Sequence, residues 1–129
     1  NVMEDITAAG IPREKIILLG FSQGACLATE FAARHPQKLG GIVAFSGGLI
    51  GPDIDASNYS GSMEQTPVFL GCSDIDPHIP KERVDITEEV LSKLSGSVTK
   101  RIYKGMGHIV NEDEIKAVRA MMADVLADN

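Results

Sequence analysis

Four short runs rich in Ile, Leu, Val and Phe punctuate the chain, at Ile16–Leu19, Gly41–Phe45, Val68–Leu70 and Val98–Tyr103. Between and around them the pattern changes to helical periodicity. That alternation is the strongest constraint on what the chain can fold into. A continuous apolar run with no polar alternate is what a strand buried on both faces requires. Ile16-Ile17-Leu18-Leu19 has this character and predicts a central strand, paired on both edges. Strands alternating with helices predict an α/β fold with a parallel sheet covered on both faces. Val98–Tyr103 differs, because Lys100 and Arg101 interrupt it. Charges of that kind suit an edge strand, where they discourage pairing with other chains.

The helical segments follow the same logic. Residues 1–9 place Val2, Ile6 and Ala9 on one face, and Gly10 is a good terminator. Residues 23–34 are rich in small side chains (Gly24, Ala25, Ala28, Ala32, Ala33) and stop before Pro36. Residues 47–66 are rich in Gly, Ser, Asp and Asn and read as an excursion loop. Pro80 opens a helix with Val84, Val90, Leu91 and Leu94 inward, stopped by Gly96. Asn111 with Glu114 makes an N-cap and its partner for a last helix, whose apolar face is Ile115, Val118, Met122 and Val125. The predicted order is α-β-α-β-loop-β-α-β-α, with about four strands and no repeat or linker, so residues 1–129 form one domain.

Composition excludes several classes of function. The net charge is −6, and Lys and Arg are scattered rather than clustered, which gives nucleic-acid binding no footprint. No apolar run is long enough to span a membrane. The chain opens Asn1-Val2-Met3-Glu4-Asp5, acidic where a signal peptide would be basic. Cys26 and Cys72 show no CxxC spacing and read as small buried hydrophobes, which suggests a reducing, cytoplasmic setting. His35, His78 and His108 lie far apart, with no ligand pair of metal-binding spacing beside them, so no metal site is expected.

One motif carries chemistry. Gly20-Phe21-Ser22-Gln23-Gly24 is G-x-S-x-G, modest evidence alone but placed where an apolar strand turns into a small-residue helix. A sharp turn there lifts a serine oxygen above the sheet. The flanking glycines lack a Cβ, so strand and helix can approach closely. The helix N-terminus and the Gln23 amide direct positive charge at an oxygen that becomes negative in acyl transfer. The bland alternative is a glycine-rich turn with an incidental serine.

A serine hydroxyl needs a base within hydrogen-bond reach. His108, in Gly105-Met106-Gly107-His108, follows the fourth strand and precedes the last helix. In a parallel sheet, loops after strand C-termini gather at one edge. His35 ends a helix at the opposite edge, and His78 lies between two prolines close to a candidate acid. The acid must orient the imidazole and stabilise its positive form. The loop after the third strand offers Asp74 and Asp76, and spacing alone leaves the two about even. Either also reads as a turn carboxylate capping local amides.

Ile11-Pro12 followed by Lys15 to Ala25, with Asp76-Pro77-His78-Ile79-Pro80 and Gly105-Met106-Gly107-His108, resembles the phospholipase/carboxylesterase family of α/β-hydrolases, which includes acyl-protein thioesterases. The resemblance implies Ser22 as nucleophile, Asp76 as triad acid and His108 as base, with the Gln23 amide in the oxyanion hole. It implies hydrolysis of small-molecule carboxylic esters or thioesters without a cofactor. Family members carry further strands before residues 1–9, among them a loop that supplies a second oxyanion donor; the chain resembles the C-terminal part of such an enzyme. Phe21, Leu49, Ile50 and Met106 flank the expected site as candidates for an acyl pocket, with a core role as the alternative for each. A lysophospholipase, peptidase or dienelactone-type hydrolase on the same triad is the neighbouring reading, although the last would carry Cys in place of Ser22. An inert fragment or a binding module is the third.

Overall fold

A computed structural model describes residues 2–50, 54, 59–74, 80–105 and 110–127. Among them four strands form one parallel sheet in the order β1-β2-β3-β4. The strands are β1 (Ile17–Phe21), β2 (Gly41–Phe45), β3 (Pro67–Ser73) and β4 (Ser97–Tyr103). The helices are α1 (Val2–Ala8), α2 (Gln23–Arg34), α3 (Lys81–Lys93) and α4 (Glu112–Ala127), with a 3-10 turn at Arg13–Lys15.

Successive side chains of a strand point to opposite faces, and β2 and β3 show what each face meets. Ile42, Ala44, Val68, Leu70 and Cys72 share a core with Met3 of α1, Ala25, Ala32 and Ala33 of α2, and Val84, Val90 and Leu91 of α3. Val43, Phe45 and Phe69 pack instead with Val118 of α4. Helices therefore cover both faces. Because all pairings are parallel, the residues following β1, β2, β3 and β4 emerge at one end of the sheet.

The structure corrects several details. β1 runs two residues further than the apolar run, through Gly20 and Phe21. It is not buried on both faces: it is an edge, with Leu19 50% and Phe21 40% exposed. In α1 Ile6 packs against the core as expected and Met3 joins it there, while Ala9 is exposed beyond the helix end and the Val2 side chain lies outside what the structure describes. α3 keeps the expected inward face, but the left-handed residue at its end is Ser95 (φ 65), not Gly96. α4 keeps Val118 and Val125 of the expected face but not Ile115 and Met122. Ile115 and Met122 are 40% and 45% exposed, and the residues set inward are Glu114 and Val118, with Ala117 and Met121 half-buried beside them.

Candidate active site

The turn after β1 is strained in a specific way. Ser22 has φ 58 and ψ −116, caps α2 by position, and makes no side-chain capping bond to the helix. A non-glycine residue held there costs on the order of 1–3 kcal/mol, so surrounding contacts must impose it. They are visible. The Ser22 N–H donates to the Phe45 carbonyl oxygen at 2.8 Å, and the Cys26 N–H donates to the Ser22 carbonyl oxygen at 3.1 Å.

Gly20 is indispensable to this packing, since a Cβ there would lie 2.2 Å from backbone atoms of Gly24. The expectation for the second glycine fails, because a Cβ on Gly24 would meet nothing within 4 Å. A third glycine, overlooked in the sequence, takes its place. A Cβ on Gly47 would come within 2.5 Å of the Ala25 Cβ and 2.7 Å of the Ser22 carbonyl oxygen. Its neighbour Ser46 is a second left-handed serine (φ 57), buried, with an Oγ that has no hydrogen-bond partner among the described residues. The signal available for both was Ser46-Gly47-Gly48 directly after a buried strand.

Gln23 is the first residue of α2 and is exposed. At that position the backbone N–H has no intrahelical acceptor and can face an anionic oxygen. Phe21, next to the elbow serine in sequence, and Ile50, bonded to Glu30 further along α2, are exposed, whereas Leu49 is only 2% exposed and belongs to the core. Asp76, Met106 and His108 lie outside the described residues, as does His78. Asp74 is described. Its Oδ1 accepts the Gly105 N–H at 2.9 Å, and its own N–H donates to the Tyr103 carbonyl oxygen at 3.0 Å. His35 caps the far end of α2, about 18 Å of helix from Ser22.

The excursion loop is fastened rather than loose at its described residues. Glu30 of α2 accepts the Ile50 N–H at 2.9 Å and the Tyr59 hydroxyl at 3.0 Å, and pairs with Arg34 at 2.6 Å. Burial pushes the Glu30 carboxyl up, but the Ile50 amide, Arg34 and Tyr59 outweigh it and hold the group below the usual carboxylate range. Leu49 is held by Thr87 and Arg83 of α3. An apolar groove of about 540 Å³, lined in part by Met3, Ile6, Leu19, Leu27 and Phe31, lies along the outer side of β1 and not over Ser22. Among the described residues, no group of three His, Cys, Asp or Glu could hold a metal ion, and no helix is long and apolar enough to cross a membrane.

The family model described as phospholipase/carboxylesterase matches residues 1–126. The chain belongs to that family. A solved phospholipase/carboxylesterase from Dyadobacter fermentans superposes with a TM-score of 0.88 at 42% identity, over 97% of this chain and 58% of that one. Acyl-protein thioesterase 1 of Saccharomyces cerevisiae is 36% identical over 121 residues, 92% of this chain and 53% of the relative. The same-named protein of Gibberella zeae is 32% identical over 95% of this chain and 53% of its own length. The chain thus spans about half the length of the curated family members it matches, and its four-stranded sheet is part of the α/β-hydrolase fold.

Proposed function

We propose that this chain carries the Ser-Asp-His set of a serine hydrolase that cleaves carboxylic esters or thioesters through an acyl-enzyme. The observation that carries the reading is Ser22 at φ 58 and ψ −116 on the β1–α2 turn. That conformation is costly, and it places a hydroxyl at a helix N-terminus without tying it to the helix amides. His108 takes the Ser22 proton as Oγ attacks the carbonyl carbon. The resulting oxyanion is received by the Gln23 N–H. His108 then returns the proton to the leaving alcohol or thiol, and water repeats the cycle on the acyl-serine. Asp76 orients the imidazole. The engagement of Asp74 Oδ1 by Gly105 supports Asp76 for that role.

A second oxyanion donor is proposed to come from the part of the family fold that these residues do not span. Phe21, Ile50 and Met106 remain the proposed acyl-contacting residues. Cys26 and Cys72 form no disulfide, in keeping with a proposed cytoplasmic location. The test is a fluorophosphonate probe, which labels only an activated serine. Labelling of the native gene product should be abolished by Ser22→Ala, and labelling that survives this change refutes the assignment. A panel of p-nitrophenyl esters and acyl thioesters then ranks the two substrate classes.

A further inference from the structure

The segment that carries His108 runs between two described ends, Gly105 after β4 and Val110 before α4. Carboxylates that the proposed mechanism does not use fasten both ends. At the first end, Asp74 receives the Gly105 N–H on Oδ1 and donates its own N–H to Tyr103. This carries the β3–β4 pairing one step past the strands, and Gly105, at φ 67, turns the chain away. At the second end, Asn111 and Glu114 cap each other. The Glu114 N–H donates to Asn111 Oδ1 at 2.9 Å, and the Asn111 N–H donates to Glu114 Oε1 at 3.0 Å.

A capping glutamate needs no burial, yet Glu114 is 0% exposed and its Oε2 has no hydrogen-bond partner among the described residues. The carboxyl lies against β3 instead, where a Cβ on Gly71 would stand 2.0 Å from Oε2. Burying a polar oxygen without a partner is expensive, so this is a costly way to cap a helix. Both fastenings refer to one strand, through Gly71 and Asp74, and that strand leads directly into the residues that include Asp76.

We propose that Asp74 and Glu114 are positioning residues for His108, clamping the two ends of its loop to the C-terminal end of β3. The proposal rests on the function proposed above. Its physical content is that the described residues flanking His108, at Gly105 and Asn111, and the one leading to Asp76, at Asp74, share one reference in β3, since a displacement of about 1 Å in such a site costs on the order of a hundredfold in rate.

The experiment measures kcat and KM for p-nitrophenyl acetate, and the rate of Ser22 phosphonylation, in the native gene product. Asp74→Ala and Glu114→Ala should each lower kcat by about 10- to 100-fold with KM changed less than about threefold, and phosphonylation should slow in parallel. Asp74→Asn and Glu114→Gln keep the accepting oxygen and should restore kcat to within about threefold of wild type. If Glu114→Ala does not fold, Asn111→Ala removes the other half of the same cap at a half-buried position and should show the same kcat-only loss. Folded alanine variants with wild-type kcat overturn the clamp, as does a loss confined to KM. A fall of about 10⁴ in Asp74→Asn also overturns it, because that is the signature of the triad acid itself. Ser22→Ala separates the two levels: if it still hydrolyses ester, the proposed function fails and the clamp with it, whereas an inactive Ser22→Ala beside unaffected clamp variants defeats the clamp alone.

Discussion

β4 carries two charged side chains, one on each face and both engaged: Lys100 meets Asp85 and Glu88 of α3, and Arg101 meets Asp113 of α4. Along β1, the other edge of the same sheet, Leu19 and Phe21 are 50% and 40% exposed and no residue is charged. Natural edges carry charge because a row of open amides flanked by hydrocarbon invites another strand. By that criterion β4 is built as an edge, and β1 has the composition of an interior strand. The elbow with Ser22 hangs from β1, and His108 follows β4 in sequence. The proposed chemistry therefore joins the sheet's two dissimilar sides, and substitutions on each side should fail in different ways.

The largest effect should come at the β1 side. Ser22→Ala should lower kcat for ester hydrolysis by several orders of magnitude, on the scale known for triad serines. A variant keeping more than about a tenth of the wild-type rate would detach the chemistry from the elbow.

Gly20→Ala should follow, as a loss of folding rather than of chemistry. The added methyl would sit 2.2 Å from the Gly24 backbone, which cannot move without displacing α2. Overpacking of side chains costs about 1–3 kcal/mol, and a backbone clash belongs at or above the top of that range. Urea unfolding measures it, and a midpoint equal to wild type would mean that strand and helix are not held this closely. Gly24→Ala, with nothing within 4 Å of the new methyl, is the matched control and should be tolerated.

These cases show what the sequence could and could not disclose. The elbow was legible because apolar run, G-x-S-x-G and small-residue helix fall in one order with one mechanical meaning. The inward face of α3 was legible for a similar reason, since Val84, Val90, Leu91 and Leu94 form one face and Ile86 is the one other large apolar residue of the helix. The exposure of Leu19 was legible only from two readings together: the apolar run marks a strand suited to neighbours on both edges, and the resemblance places further strands before residues 1–9, which these residues do not span, so its far edge is open. The face of α4 was half legible: Val118 and Val125 turn inward as expected, but hydrophobic periodicity ranks Glu114 as polar, whereas Gly71 leaves a space on β3 that a carboxyl fills. Glu30 was passed over because a lone acid beside Arg34 looks like a solvated helical pair; only the return of Ile50 and Tyr59 over it makes it interior. Asp74 and Asp76 stayed even by spacing because both follow the same strand, and the Gly105 bond that distinguishes Asp74 is a tertiary contact across 31 residues.

Glu114 allows a subtler measurement on the β4 side. Burial raises its carboxyl above the usual value, the Asn111 amide offsets part of this, and Asp113 adds to it. For an acid so raised, the folded state holds the proton more tightly than the unfolded chain. Stability is therefore greatest below the unfolded value and declines as pH rises through the folded one. Glu114→Gln removes that titration, so its unfolding midpoint should gain on wild type as pH is raised from acidic to neutral. Parallel midpoints at all pH values would mean that the carboxyl is not titrating from the buried site.

The smallest effects should come from the charges of β4, and they bear most directly on the contrast between the edges. Lys100 is the better placed of the two, 23% exposed and bonded to Asp85 at 2.6 Å with Glu88 at 3.1 Å, whereas Arg101 is 48% exposed and has the single carboxylate of Asp113. Exposed ion pairs contribute about 0.2–1 kcal/mol and weaken with salt. A double-mutant cycle on Lys100 and Asp85 should return a coupling in the upper half of that range at low salt and less at high salt. If these charges act mainly to keep the edge unpaired, replacing both Lys100 and Arg101 by leucine should leave the unfolding midpoint nearly unchanged while increasing self-association in sedimentation. The reciprocal change, Leu19→Lys, should reduce the association of the 129-residue chain expressed alone. If the leucine pair on β4 unfolded the protein without promoting association, the charges would be structural, and the two edges would differ in stability rather than in what they repel.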